Sequence, residues 1–369
     1  MRVLLAPDKF KGSLSAAEVA DGLAAGLTAA GVGSHRIPLA DGGDGSVEAA
    51  VAAGFTPRPV TVAGAAGTPR SARIAFGDGT AVVEVAAACG LTTLPGGRPL
   101  PLDASSLGLG QAVAQALRYR PRRLVLALGG SASTDGGMGL LAALGHTFAD
   151  AEGRLLRPCG RNAGLVHTVD SSRAQSLTGV EIVIAGDVTN PLLGSSGAAA
   201  VYGPQKGATA AEVRFLDAGL ANLVEAFARS GYPHARTVAA AAGAGSAGGI
   251  GFAALLLGGT LVSGAEFFLD LAEFDRHLPG FDLVVTGEGS IDAQTAHGKL
   301  LSVLARRARP VPVVAVAGRS TLLRHQWGPA GFTAIHALGD YTDRETAADP
   351  ELTRRLLTTI GRRIGGVAV

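Results

Sequence analysis

Val3-Leu4-Leu5-Ala6 is an apolar run of the kind that forms a short buried strand, and Pro7 ends it. Asp8-Lys9-Phe10-Lys11-Gly12-Ser13-Leu14 follows as a polar loop. Ser15-Ala16-Ala17-Glu18 then reads as a capping box, opening a helix from Ala16 to about Ala30 that Gly31 and Gly33 close. Strand, polar loop, helix is the unit of an open α/β sheet, where ligands sit outside the carboxyl ends of the strands. A helix start offers N–H groups and the positive end of a dipole to an anion. Lys11 adds a cation beside Gly12, where backbone can approach a ligand closely. The competing reading is an ordinary loop with solvated lysines.

The same unit recurs along the chain. Arg36-Ile37-Pro38-Leu39 reads as a second strand and delivers Asp41-Gly42-Gly43-Asp44-Gly45-Ser46, two acids on a glycine turn before a helix over 47–53. Such a pair suits Mg²⁺ through water or the hydroxyls of a polar substrate, or it is a solvated turn. The strand Arg123–Leu128 feeds Gly129-Gly130-Ser131-Ala132-Ser133-Thr134-Asp135-Gly136-Gly137, directly before a helix over 140–144. Backbone N–H groups and hydroxyls there can cradle phosphates or a carboxylate. The strand Val180–Ala185 delivers Asp187, a general-base or metal candidate, and the turn Asn190-Pro191. Leu283-Val284-Val285 delivers Glu288, Asp292, Gln294, Thr295 and Lys299. Strands over 311–317 and 332–337 and a helix over 352–363 complete the alternation, which predicts a doubly wound sheet. Residues 58–94 read instead as hairpins, the entry into a second domain. The expected division is 1–57 with 281–369 as a flavodoxin- or Rossmann-like α/β domain and 58–280 as an inserted α/β domain, with the site in the cleft between them.

At 369 residues with 47% hydrophobic and 17% charged side chains, two domains with sizeable cores are the natural expectation and disorder is not. Aromatics are 5% and net charge is +2 with scattered arginines, so nothing indicates nucleic acid. Val238 to Ala265 carries no charge, but its eight glycines make it poor membrane material and good material for a close-packed buried helix. Cys89 and Cys159 stand in unrelated contexts and read as free thiols of a reducing compartment; with no targeting signal, the expectation is a cytoplasmic protein.

Of the 32 Lys plus Arg residues only four are lysine, and Lys11, Lys206 and Lys299 each adjoin a glycine. A chain that uses arginine wherever it can keeps lysine where a compact ammonium is needed, as at a phosphate. Gly243-Ala244-Gly245-Ser246-Ala247-Gly248 matches a dinucleotide fingerprint by spacing, but no convincing strand precedes it. Motifs of P-loop NTPases, zincins and α/β-hydrolases are absent.

Taken together, the chain resembles the bacterial glycerate kinase family, type 1. The matching blocks run from Ala6-Pro-Asp-Lys-Phe-Lys-Gly-Ser-Leu-Ser15 through Leu39-Ala-Asp-Gly-Gly-Asp-Gly45 and Gly129-Gly-Ser-Ala-Ser-Thr-Asp-Gly-Gly-Met-Gly139. They continue with Asp187-Val-Thr-Asn-Pro-Leu-Leu-Gly194, Val201-Tyr-Gly-Pro-Gln-Lys-Gly207, Gly287-Glu-Gly-Ser-Ile-Asp-Ala-Gln-Thr295 and Gly298-Lys299, in the family's order. Gly186 stands where the family usually has Cys, and Ser290 where it usually has Arg. The resemblance implies ATP- and Mg²⁺-dependent phosphorylation of D-glycerate, with the 2-hydroxyl the expected acceptor over the 3-hydroxyl.

On that reading Lys11, Asp187, Asp292 and Lys299 are the expected catalytic residues, Asp187 and Asp292 being the candidate bases. Asp187, Glu288 and Asp292 are the expected metal ligands. Substrate and nucleotide fall to Asp8, Ser13, Asp41, Asp44, Gly129, Gly130, Ser131, Ser133, Thr134, Asp135, Asn190, Lys206, Glu288, Gln294 and Thr295. The alternatives are an NAD-dependent dehydrogenase of a small hydroxy acid, resting on Gly243–Gly248, and a non-catalytic sugar-acid binding protein. Oligomeric state is left open.

Overall fold

The structure is a computed structural model and describes residues 1–292 and 300–366. Its strands, in chain order, are β1 Arg2–Leu5, β2 Gly33–Arg36, β3 Thr56–Ala63, β4 Pro69–Gly77, β5 Thr80–Glu84, β6 Arg123–Ala127, β7 Thr147–Ala149, β8 Thr168–Asp170, β9 Glu181–Ala185, β10 Thr260–Val262, β11 Leu283–Ile291, β12 Val313–Ser320 and β13 Ala334–Ala337. The chain divides into two compact units. Unit 1 comprises residues 1–41, 48–54 and 263–369; unit 2 comprises 42–47 and 55–262.

Unit 1 is a parallel five-stranded sheet in the order β13-β12-β11-β1-β2. In order of appearance that is the 2-1-3-4-5 arrangement of flavodoxin-like folds, whose ligand crevice lies where the winding reverses, here between β1 and β11. Successive residues of β1 serve opposite faces. Val3 and Leu5 pack with Val285, Val314 and Val316 under the helices Ala16–Ala29 and Pro350–Gly366. Leu4 and Ala6 pack with Val284, Ala315 and Ala317 under the helices Gly264–Leu271 and Leu300–Arg307. The inner strands are therefore covered on both faces, which is why β1 and the starts of β11 and β12 read as continuous apolar runs. The two helices on the first face meet through glycine: a Cβ on Gly26 would stand 2.1 Å from the Thr358 carbonyl oxygen.

The helix Gly264–Leu271 belongs to unit 1, so this unit resumes at Ser263, upstream of the strand-like run at Phe281 that suggests its return in the sequence. Ala265, Leu269 and Phe274 lie in the same core as Leu4, which accounts for that placement.

Unit 2 holds a six-stranded sheet in the order β10-β9-β6-β5-β4-β3. β5, β6, β9 and β10 run parallel, and β4 and β3 are added antiparallel as the hairpins read from residues 58–94. A separate antiparallel pair, β7 with β8, has three-residue strands too short to announce themselves by periodicity. The uncharged stretch from Val238 becomes the end of one short helix, a glycine turn, the buried helix Ile250–Leu256 and β10. Among the described residues no helix is long and apolar enough to cross a membrane.

Candidate active site

In unit 1, the loops after β1 and β11 lie side by side because the two strands are parallel neighbours. Asp8 follows β1, and its N–H donates to the Gly287 carbonyl at 2.8 Å. Asp8 is 7% exposed, and its carboxylate accepts the Lys9 N–H at 2.7 Å. Burial is the main cause of a pKa raised to about 7; the Lys9 ammonium, 3.7 Å away, opposes it, while Asp41 and Glu288 push the same way. Three predicted site acids thus feel one another at the crevice. Lys9, which borders no glycine and reads as a bystander, is Asp8's partner.

Gly12 has φ +84°, a left-handed turn that lets the chain fold back so that Phe10 bridges Leu14. The turn sets Lys11 and Ser13 on a cavity of about 350 Å³. Ser13 Oγ is shut from solvent with no hydrogen-bond partner among the described residues. The start of the next helix is less open to an anion than its sequence suggests. The Glu18 carboxylate already accepts the Ser15 N–H at 2.9 Å, and Ser15 Oγ accepts the Glu18 N–H at 3.3 Å. Asp292 is half-buried just beyond β11. Gln294, Thr295 and Lys299 lie outside the described residues.

In unit 2, the Gly42-Gly43 turn crosses the carboxyl ends of β6 and β9. A Cβ on Gly42 would stand 2.4 Å from the Ala185 carbonyl oxygen, and one on Gly129 would stand 2.6 Å from the Gly43 Cα. Ser46 Oγ donates to the Gly43 carbonyl at 2.6 Å and so closes the turn that leaves Asp44 exposed. Glu84, at the end of β5, is 4% exposed and accepts the Val47 N–H at 3.1 Å. An acid closing an apolar strand was the available signal for it, and the motif reading passes over it.

Only Gly129 and Gly130 of the next loop face outward. Ser131, Ser133, Thr134 and Asp135 are buried, each 4% exposed or less. Asp135 accepts Ser106 N–H and Oγ–H, both at 2.8 Å, and the N–H groups of Gly137 and Gly139. It holds the start of the helix Met138–Ala143, with burial pushing its pKa up and these donors pulling it down. Lys206 enters from the other side, 3% exposed, and donates to Ser131 Oγ at 2.9 Å and to the Ser133 carbonyl at 2.5 Å. Burial lowers its pKa from 10.5 to about 8. The hydroxyls of Ser133 and Thr134 are buried without a partner among the described residues. This loop is a packed, charge-stiffened platform whose outer rim is glycine.

Asn190 is likewise pinned: its amide donates to the Ser196 carbonyl and accepts the Tyr202 hydroxyl at 2.7 Å. Asp187 is exposed just beyond β9. The Gly243–Gly248 turn follows the helix Ala235–Ala240 and not a strand, so it lacks the setting of a dinucleotide fingerprint. Its glycines serve packing: a Cβ on Gly248 would stand 2.0 Å from the Ser133 carbonyl oxygen. Among the described residues no three His, Cys, Asp or Glu side chains are grouped so as to hold a metal ion by themselves.

Parallel strands whose carboxyl ends carry acids, ammonium groups and glycine-rich turns define an α/β enzyme class that handles small anions. Residues 3–368 match the model of the glycerate kinase family, and the chain belongs to that family. It is 39% identical to a Bacillus subtilis glycerate kinase, over 86% of this chain and 85% of that protein. It is 37% identical to Escherichia coli glycerate 2-kinase, over 92% of each. A crystal structure assigned to glycerate kinase 2 from Salmonella typhimurium LT2 superposes with a TM-score of 0.83 at 33% identity, covering 100% of this chain and 98% of that one.

Proposed function

We propose that the protein transfers the γ-phosphoryl group of ATP to the 2-hydroxyl of D-glycerate, forming 2-phosphoglycerate and ADP. The observation that carries this reading is the similarity to E. coli glycerate 2-kinase along nearly the whole of both chains. Phosphoryl transfer asks a protein for positioning and for neutralisation of spreading charge more than for covalent chemistry. Lys11 supplies mobile positive charge beside the β1–β11 crevice. Asp8, with a pKa of about 7, is matched to accept the hydroxyl proton near neutral pH, a role that the sequence suggests for Asp187 or Asp292. Lys206 and Asp135 act through the loop they hold.

The clustered oxygen donors of Asp8, Asp41 and Glu288 suit a hard cation. Mg²⁺ commonly takes one or two protein carboxylates and completes its shell with phosphates and water, so a set of three converging side chains is not required. Glu288, with Asp292 just beyond the same strand, is the residue we propose to hold it in unit 1, and when bound it would neutralise phosphate oxygens. Both cysteines are free and buried, which suits a reducing compartment; we propose the cytoplasm.

The test is ADP release from Mg-ATP with D-glycerate, followed by ³¹P NMR of the product. A glycerate-dependent signal of 2-phosphoglycerate is expected. Absence of glycerate-dependent ADP release overturns the kinase reading, and 3-phosphoglycerate overturns the choice of hydroxyl.

A further inference from the structure

We propose that the unit 1 cavity is an oxyanion subsite in which Arg319 is the second cation beside Lys11; this rests on the kinase reading. Ser290 and Arg319 are register partners on the parallel strands β11 and β12, so their side chains project from the same face of the sheet. Both line the cavity of about 350 Å³ that also receives Lys11 and Ser13. Two cations on different strands and loops therefore meet one space at the carboxyl ends of β1, β11 and β12.

Some arginines of the fold are neutralised by acids: Arg161 by Asp103, Arg236 by Glu225, Arg307 by Glu266, Asp270 and Asp275. Lys11 and Arg319 have no ion-pair partner among the described residues. Among the described residues the one acid on the cavity wall, Glu345, is turned to its own loop and accepts the Ala347 N–H at 3.0 Å. Ser13 Oγ contributes a hydroxyl with no partner there. A guanidinium, an ammonium and a free hydroxyl form a donor set that a carboxylate or a phosphate completes, the planar guanidinium binding either one in bidentate fashion. The volume is within the range of small-molecule sites.

Both reactants carry such a group: the carboxylate of glycerate and the phosphates of the nucleotide. Isothermal calorimetry of Arg319→Ala with D-glycerate and with ATP, separately, tells them apart. Affinity for one of them should fall between about 10- and 150-fold, the effect of losing a charge-assisted hydrogen bond. A loss confined to D-glycerate assigns the carboxylate; a loss confined to ATP assigns the phosphates. The double variant Ser290→Arg, Arg319→Ser moves the guanidinium one strand across the ladder and should restore most of the lost affinity. Unchanged affinity for both ligands in Arg319→Ala, with an unchanged melting temperature, overturns the proposal. Should the wild type release no ADP, the kinase reading fails by itself. The subsite then stands or falls on whether pyrophosphate binds to the wild type and is lost in Arg319→Ala.

Discussion

Asp8 and Lys206 are the two side chains whose chemistry is most changed by where the chain puts them. For Asp8 the folded pKa of about 7 lies above the ordinary 3.8, so between roughly pH 4 and 7 the folded state holds a proton that the unfolded chain has released. Stability should therefore decline as pH rises through that window, and Asp8→Asn should flatten the decline in denaturant titrations. The same variant should lower kcat on the order of 10²–10⁴ and remove an activity limb with its midpoint near pH 7. A limb that survives in Asp8→Asn would assign the titration to another group. Lys206 runs the other way. Its folded pKa of about 8 lies below 10.5, so stability should rise between those pH values as the buried ammonium is relieved of its charge. Lys206→Met should abolish that rise. It should also lower kcat while changing KM for ATP and D-glycerate little, because Lys206 braces Ser131 and the Ser133 carbonyl from inside the protein. A rise in KM alone would instead mean that Lys206 touches a ligand.

At the scale of elements, long periodic segments and capped helices were legible, and the ends of strands were not. The helix Ala16–Ala29 forms where its capping box and closing glycines place it. The apolar signal at Ile37 and Leu39 marks burial correctly, both being under 10% exposed, but Pro38 lacks an N–H. The ladder with β1 is made instead by the polar edge Gly33–Arg36, which no apolar pattern announces. β11 runs on to Ile291 through Gly287 and Gly289, residues that read as breakers. Neither has room for a side chain: a Cβ on Gly287 would stand 2.3 Å from the Val316 carbonyl oxygen of β12, and one on Gly289 would stand 3.3 Å from the Lys11 nitrogen of the loop after β1. The Gly42 turn combines both demands, with φ +89° and a Cβ position 2.4 Å from the Ala185 carbonyl. Gly42→Ala should cost about 1–3 kcal/mol from backbone strain, with overpacking adding to it, and should lower the melting temperature by several degrees. A melting temperature equal to wild type would show that the ends of β6 and β9 yield to the new methyl group.

For the whole molecule, motif order along the chain identified the family, while the inward turn of Ser131, Ser133, Thr134 and Asp135 was invisible because a hydroxyl reads the same on a platform as in a cradle. Unit 1 gathers Asp8, Asp41 and Glu288 near the ends of its parallel strands. A chain of net charge +2 has little reason to crowd carboxylates there for stability, since their repulsion contributes to driving the Asp8 pKa upward. A divalent cation together with a polyphosphate would resolve the crowding, because the metal would screen the acids and Lys11 would meet remaining phosphate charge. Turnover should therefore vanish in excess EDTA and return when Mg²⁺ is added beyond the chelator. Since the ion is expected to enter with the nucleotide, Mg²⁺ without ATP should raise the melting temperature little, whereas Mg-ATP should raise it clearly. Glu288→Gln should weaken this Mg-ATP shift while leaving any shift caused by D-glycerate alone unchanged. Undiminished turnover in EDTA, or a Mg-ATP shift that is the same in Glu288→Gln, would remove the metal from this arrangement and leave the acids without the role that explains their crowding.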